Sequence, residues 1–318
     1  HLPVYTTVPY SVPGVYNPVL SLNGTWQFNP SPKADFYTRK ADTDGWHPIV
    51  VPGQWSMQGF KVDSAGFGGY QTLFTLPADW KGKQVKLRFD GVSSECIVWL
   101  NGKEIGTHMG GMTAFELDAT TALQPGENRL ALKVRSESLA DMLGSLTQYA
   151  AHQLGGITRK VTLFAVPDVH IFDLRIVTEL DEQYKDAELK VYLAVTNAGK
   201  ETEKNIAARL SIGGLPVVLD QVIPELSPGQ NWTGWLTGKV ADPRKWDNEH
   251  PYLYTLTCRL KDGKKVLHET VRRVGFRQVE VRGNQMYINN MPVKLRGVCR
   301  HEVMPLRGRS VNDGMWRK

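Results

Sequence analysis

Residues 85–105 read VKLRFDGVSSECIVWLNGKEI, and this stretch decides the fold class. Val85, Leu87 and Phe89 alternate with Lys86 and Arg88, then stop at Asp90-Gly91. Successive side chains of a strand point to opposite faces, so a period of two predicts a half-buried strand. Ile97 and Trp99 lead into Asn101-Gly102, with Ile105 beyond it. Both residues of an Asn-Gly pair tolerate the positive φ of a two-residue hairpin turn. A β-hairpin is expected there.

The same pattern extends in both directions. Trp26 and Phe28 follow Asn23-Gly24; Leu130, Leu132 and Val134 follow Pro125-Gly126; Val161 and Leu163 precede Val166-Pro167-Asp168. A second block repeats it. Leu189, Val191, Leu193 and Val195 run to Asn197-Ala198-Gly199, and Leu210 and Ile212 precede Gly213-Gly214. Tyr254, Leu256, Cys258 and Leu260 run to Asp262-Gly263, with Val266 past the turn. Helical periodicity is confined to short candidates such as Ala34 to Lys40. The expectation is an all-β chain of two sandwiches, divided near Pro167, the second ending near Val281. Beyond it, Met286-Tyr287-Ile288 and Pro292 to Val298 flank Asn289-Asn290 as a small hairpin. Gly297-Val298-Cys299-Arg300-His301-Glu302 then turns abruptly from apolar to polar. A barrel strand that presents active-site groups at its end has this form.

Composition excludes several classes. The 318 residues are 41% hydrophobic and 22% charged, ordinary globular usage that rules out intrinsic disorder and collagen-like structure. No apolar run approaches the ~18 residues of a transmembrane helix, so no membrane span is expected. A signal peptide is not evident and the first residue is His1, which leaves the compartment open; a periplasmic or secreted location is favoured over a cytoplasmic one. The net charge of +6 is concentrated in Arg296, Arg300, Arg307, Arg309, Arg317 and Lys318, against Glu302 and Asp313. Without cations interleaved with aromatics elsewhere, nucleic-acid binding is not expected. Cys96, Cys258 and Cys299 are odd in number and widely spaced, and read as small hydrophobes rather than disulfides or zinc ligands. Gly68-Gly69, Gly110-Gly111 and Gly155-Gly156 do not open phosphate loops. Neither a cofactor nor a metal is expected.

Several words stand in a fixed order along the whole chain. They are Leu22-Asn23-Gly24-Thr25-Trp26-Gln27-Phe28, Val51-Pro52-Gly53-Gln54-Trp55, Val98-Trp99-Leu100-Asn101-Gly102-Lys103 and Leu123-Gln124-Pro125-Gly126-Glu127-Asn128. Gly155-Gly156-Ile157-Thr158-Arg159, Trp246, Leu253-Tyr254, Gly275-Phe276-Arg277, Leu295-Arg296-Gly297-Val298 and Arg300-His301-Glu302 complete the series. In this order they resemble the N-terminal half of family 2 glycoside hydrolases, the group of the β-galactosidases and β-glucuronidases. The resemblance implies a jelly-roll sugar-binding-type sandwich over residues 1–167 and an immunoglobulin-like sandwich over 168–281. Residues 282–318 would be the first strand region of a TIM barrel.

The chemistry so implied is retaining glycoside hydrolysis, in which two carboxyls about 5 Å apart act as acid/base and nucleophile. In the family these are two Glu on later barrel strands, outside these 318 residues. No catalytic residue is therefore assigned, and the chain alone is expected to be inactive. Glu95, Glu104, Glu116 and Glu302 read as solvated or structural carboxylates. By resemblance His301 is a substrate-binding residue that hydrogen-bonds sugar hydroxyls, and Tyr70, ending the loop Ser64–Tyr70, approaches the same sugar. The implied partners are a β-glycoside and the chain's own catalytic barrel, with a homo-oligomer left open.

The residues themselves give most of these words structural work. Trp26, Trp55 and Trp99 are expected in the core, Trp246 and Phe276 in the packing of the second sandwich, and the Gly-containing pairs in turns. The chain also departs from the β-galactosidase pattern. Cys299 stands where those enzymes usually carry Asn, His152 near a usual Trp, and Ser138–Gly144 where an acidic loop is usual. A β-galactosidase-type glycosidase is the first reading. Another family 2 specificity such as β-glucuronidase, or a stand-alone carbohydrate-binding sandwich protein, is the alternative.

Overall fold

The computed structural model describes residues 5–38, 45–63, 66–135, 138–139, 154–299, 303–310 and 314. The protein is all-β, with 54% of the described residues in strands and bridges and 5% helical. It comprises two compact units, His1–Pro18 with Val166–Cys299, and Val19–Ala165 with Arg300–Lys318. The first residues thus group with the second sandwich and the last with the first.

In the unit centred on Val19–Ala165, one sheet orders the strands Val19–Ser21, Val161–Val166, Gln84–Phe89 and Phe115–Asp118. The other orders His47–Val51, Gly24–Asn29, Gly68–Leu76, Gly126–Arg135, Glu95–Leu100 and Lys103–Met109. Apart from the pair Glu95–Leu100 and Lys103–Met109 and the pair Gly24–Asn29 and His47–Val51, neighbouring strands are far apart in sequence, as in a jelly roll. Alternation does what it predicts: Val85, Leu87 and Phe89 are buried, as are Trp26, Phe28, Leu130, Leu132 and Val134. Each such side chain contributes roughly 1.5–3 kcal/mol by leaving water. The expected hairpin forms, with Leu100 opposite Lys103 and positive φ at Asn101 (54°) and Gly102 (83°).

One strand is buried on both faces. Cys96 and Val98 of Glu95–Leu100 enter the core, which turns Trp99 to the opposite side. There the 3₁₀ turn Phe36–Thr38 covers it, Tyr37 stacking on the indole at 4.4 Å and Phe36 meeting it edge-on at 6.0 Å. The helix expected over Ala34 to Lys40 is this short turn, residues 39 and 40 lying outside the described residues.

The second sandwich packs the sheet Val169–Leu180, Ala187–Asn197, Asn231–Val240 against Val218–Val222, Ile206–Ile212, Tyr254–Asp262, Lys265–Val274. Its core includes Val191, Leu193, Val195, Leu210, Leu256, Leu260 and Phe276. Phe276 is fully buried edge-on to Tyr254, whereas Trp246 is half-buried beneath the Arg277 guanidinium, 4.4 Å from its ring. A three-stranded meander follows: Val279–Arg282, Gln285–Ile288 and Met291–Val293. Its second turn is the expected Asn289-Asn290, both at positive φ.

Candidate functional site

Three buried side-chain atoms without partners, both amide atoms of Gln54 and Ser310 Oγ, lie where the loop after strand His47–Val51 meets residues 303–310. That loop is held rigidly. Gln58 accepts the Val50 N–H at 2.7 Å through Oε1 and donates to the Val50 carbonyl at 3.0 Å through Nε2. The Gly53 N–H donates to Ile157 O at 2.8 Å and the Trp55 N–H to Gly155 O at 3.1 Å. Trp55 then enters an aromatic cluster, its ring 5.7 Å from Phe28 and 6.5 Å from Tyr70.

The facing wall is a tight turn. Met304 and Gly308 exchange N–H···O bonds of 2.8 Å, and the Ser310 N–H donates to Arg307 O at 3.2 Å. Arg159 Nη1 donates to the Arg309 carbonyl at 2.8 Å and ties this turn to the sandwich. Gly308 has φ +58°, and a Cβ there would stand 2.5 Å from Gln54 Nε2. The left-handed φ favours glycine, and the missing side chain lets the amide lie against the backbone.

Between the walls lies a cavity of about 160 Å³, lined by Gln54, Ser310, Val50, Pro52, Met57, Leu306 and Arg307 among others. Gln54 is 1% exposed and Ser310 4%, yet neither amide atom of Gln54 nor the Ser310 hydroxyl has a hydrogen-bond partner. Burying such groups unpaired costs on the order of 1–3 kcal/mol each. The Gln54 amide atoms and Ser310 Oγ are themselves closed to solvent, so a ligand or solvent molecule in the cavity would reach them only where the walls move apart. A neutral amide and a hydroxyl beside apolar walls suit a ligand that is itself rich in hydroxyls.

The sequence assignments fall out unequally. His301, with Arg300 and Glu302, lies outside the described residues, as do Ser64, Ala65, residues 140–144 and His152. Tyr70 lies in strand Gly68–Leu76 rather than on a loop. Its ring is 0% exposed, 4.7 Å from Phe28 and 6.4 Å from Trp26 in edge contact. Burial drives its hydroxyl far above the usual phenol range. The ring is core in this unit because Phe28, Trp26 and Trp55 close around it. Glu116 is spent in an ion pair with Arg88 at 2.8 Å; Glu104 is exposed and Glu95 half-buried. Among the described residues no cluster of three His, Cys, Asp or Glu stands ready for a metal ion. Sequence reasoning quoted Gln54 without giving it a role and passed over Ser310. Nothing local to either residue signals that its partner is missing.

The two walls of the cavity come from segments that two family models match separately, and a third model matches the stretch between them. Residues 19–167 match the sugar binding domain of glycosyl hydrolases family 2, 169–277 the domain described as glycosyl hydrolases family 2, and 279–318 its TIM barrel domain. The chain belongs to glycosyl hydrolase family 2. Family 2 relatives include a β-galactosidase of Priestia megaterium, 31% identical over 91% of this chain and 31% of its own length. Another, from Thermoanaerobacter pseudethanolicus, is 31% identical over 94% of this chain and 41% of its own length. The chain thus spans about a third of the curated family 2 relatives it matches. The crystal structure of a Bacteroides uniformis β-glucuronidase superposes with a TM-score of 0.82 at 27% identity, over 94% of this chain and 37% of that one. No helix among the described residues is long and apolar enough to cross a membrane.

Proposed function

We propose that this chain is the N-terminal portion of a retaining β-glycosidase of β-galactosidase type, supporting a catalytic barrel and shaping the rim of its sugar pocket. The observation that carries this reading is the pair of buried, unpartnered groups, Gln54 amide and Ser310 hydroxyl, at one cavity. A sugar hydroxyl both donates and accepts, and satisfies either group. The similarity to β-galactosidases supports the substrate class.

The proposed domains are 1–167, 168–281 and 282–318, in line with the family-model matches. The proposed partner of the last segment is the rest of the barrel. Met291, Leu295 and Val298 are 68%, 75% and 88% exposed, an apolar stretch that a barrel would cover. His301 is proposed as a sugar-hydroxyl contact on the strength of its Arg-His-Glu word. A second reading, β-glucuronidase type, is favoured by Arg307 in the cavity wall, a cation suited to a sugar carboxylate, and by the likeness to the Bacteroides uniformis enzyme.

The test is to express this chain joined to a family 2 barrel in its own reading frame and assay nitrophenyl β-galactoside and β-glucuronide side by side. Turnover of the galactoside supports the first reading and preference for the glucuronide the second. A folded complete protein that hydrolyses neither overturns both.

A further inference from the structure

The second-sandwich unit holds two buried histidines that the sugar pocket does not use. His170 on strand Val169–Leu180 is 1% exposed and His268 on strand Lys265–Val274 is 0% exposed. His268 Nδ1 accepts the Ile171 N–H at 3.0 Å, which places the ring's one proton on Nε2 and makes the imidazole neutral. Nε2 meets no partner.

Ile171 is also where the N-terminal segment attaches, its carbonyl accepting the Thr7 N–H at 3.3 Å. Farther along, the Tyr10 N–H donates to Glu269 O at 2.8 Å and the Thr270 hydroxyl to Val8 O at 3.5 Å. Residues 6–11 therefore bridge two strands, each at the end of its sheet's order, and Thr6 and Thr7 are buried in doing so. The histidine lies at that seam, bonded to the residue that holds one end of the bridge.

We propose that residues 6–11 are an acid-released strap latched by His268. A proton arriving at Nδ1 takes the lone pair that receives the Ile171 N–H. It also places a charge in a buried seam with no carboxylate to receive it, which is accommodated only when the strap and its edge strands part.

The surroundings fix the sign. The groups whose charges act on the ring are His170 and Arg272, and both oppose a further positive charge. Of the neighbouring carboxylates, Glu269 is paired with Arg259 and sits one residue along, on the other face of the strand. Asp173 is paired with Arg175 at 2.7 Å. The strap itself, residues 6–11, carries no acidic or basic side chain besides the Tyr10 phenol. Burial, aided by His170 and Arg272, pushes the His268 pKa down from 6.5 to about 3. The open form, with an ordinary pKa, takes the proton first. The closed form therefore loses ground tenfold per pH unit as pH falls below about 6.5, until about 3, and is insensitive to pH above that window.

Amide hydrogen exchange of the 318-residue chain between pH 5 and 8, corrected for intrinsic rates, tests this at Thr7, Tyr10 and Ile171. Protection is expected to be flat from pH 8 to 6.5, then to fall about thirtyfold by pH 5. His268→Gln keeps an oxygen to accept the Ile171 N–H but does not titrate, and should abolish the slope while retaining protection at neutral pH. Wild-type protection independent of pH, or an equal slope in the Gln variant, overturns the proposal. Where the variant fails to fold, the ring resonances of wild-type His268 decide. A ring that stays neutral until the strap amides open supports the latch, and one that titrates near 6.5 beneath a protected strap refutes it.

Discussion

The side chains of Asn101 and Asn128 meet at 2.8 Å, Nδ2 of the first donating to Oδ1 of the second. Around that bond every polar atom is used. Asn101 also donates to Ala122 O and accepts the Arg129 N–H, each at 2.8 Å. Asn128 accepts the Gln124 N–H at 2.9 Å and donates to Gln124 O and Gly126 O at 2.8 and 2.9 Å. The knot binds the Asn101-Gly102 hairpin to the Pro125-Gly126 turn, and it is structural throughout.

Asn128→Ala removes four bonds from a residue that is 1% exposed and strands their partners. Urea unfolding should show a loss of about 2–4 kcal/mol, since each buried group left unpaired costs on the order of 1–3 kcal/mol and water relieves some of them. A loss below about 0.5 kcal/mol would mean that the knot is dispensable.

Gln54 should behave in the opposite way. Its amide has no partner to lose, so Gln54→Leu should leave stability unchanged or raise it by up to ~1 kcal/mol. In a complete enzyme the same change should lower kcat/KM by about tenfold or more, the worth of one good hydrogen bond to substrate. Marked destabilisation with unchanged kinetics would make Gln54 a packing residue.

The three cysteines should divide by environment. Burial pushes the thiols of Cys96 and Cys258 up to about 12, whereas Cys299 is exposed. A disulfide-exchange reagent at pH 8 should titrate one thiol rapidly in the native chain and all three in denaturant, because the thiolate is the reactive form. Fast reaction of two or more native thiols would contradict the packing at strands Glu95–Leu100 and Tyr254–Asp262.

Purified alone, the chain should not hydrolyse nitrophenyl β-galactoside above background. Retaining hydrolysis needs two carboxyls in one geometry, and Glu116 is committed to Arg88 as Glu269 is to Arg259. In a complete enzyme His301→Ala should lower turnover or affinity with the fold intact. Turnover by the isolated chain, free of host enzyme, would defeat the first expectation; unchanged kinetics of the variant would defeat the second.

Much of the fold was legible because its signals are local. The alternation at Val85, Leu87 and Phe89 and the turns at Asn101-Gly102 and Asn289-Asn290 each depend on a few neighbouring residues. The candidate site was not legible in that way. Gln54 is polar and lies beside a core tryptophan, which in sequence looks the same as any loop glutamine. Its amide packs against Gly308, more than 250 residues away, and that approach is not written anywhere near it in the sequence.

By itself, the sequence determined the strand periods, the hairpins and the family, because each is written in contiguous words. Only the tertiary structure decided which face of a strand is covered and which polar group lacks a partner. Trp99 faces away from the main core and is buried by Tyr37; Tyr70, expected beside a sugar, is enclosed by Phe28, Trp26 and Trp55. His268 is neutral and latched because Ile171 reaches it across the second sandwich. Burial and hydrogen-bond satisfaction are set by what the chain brings back from a distance, and a local pattern carries no record of that return.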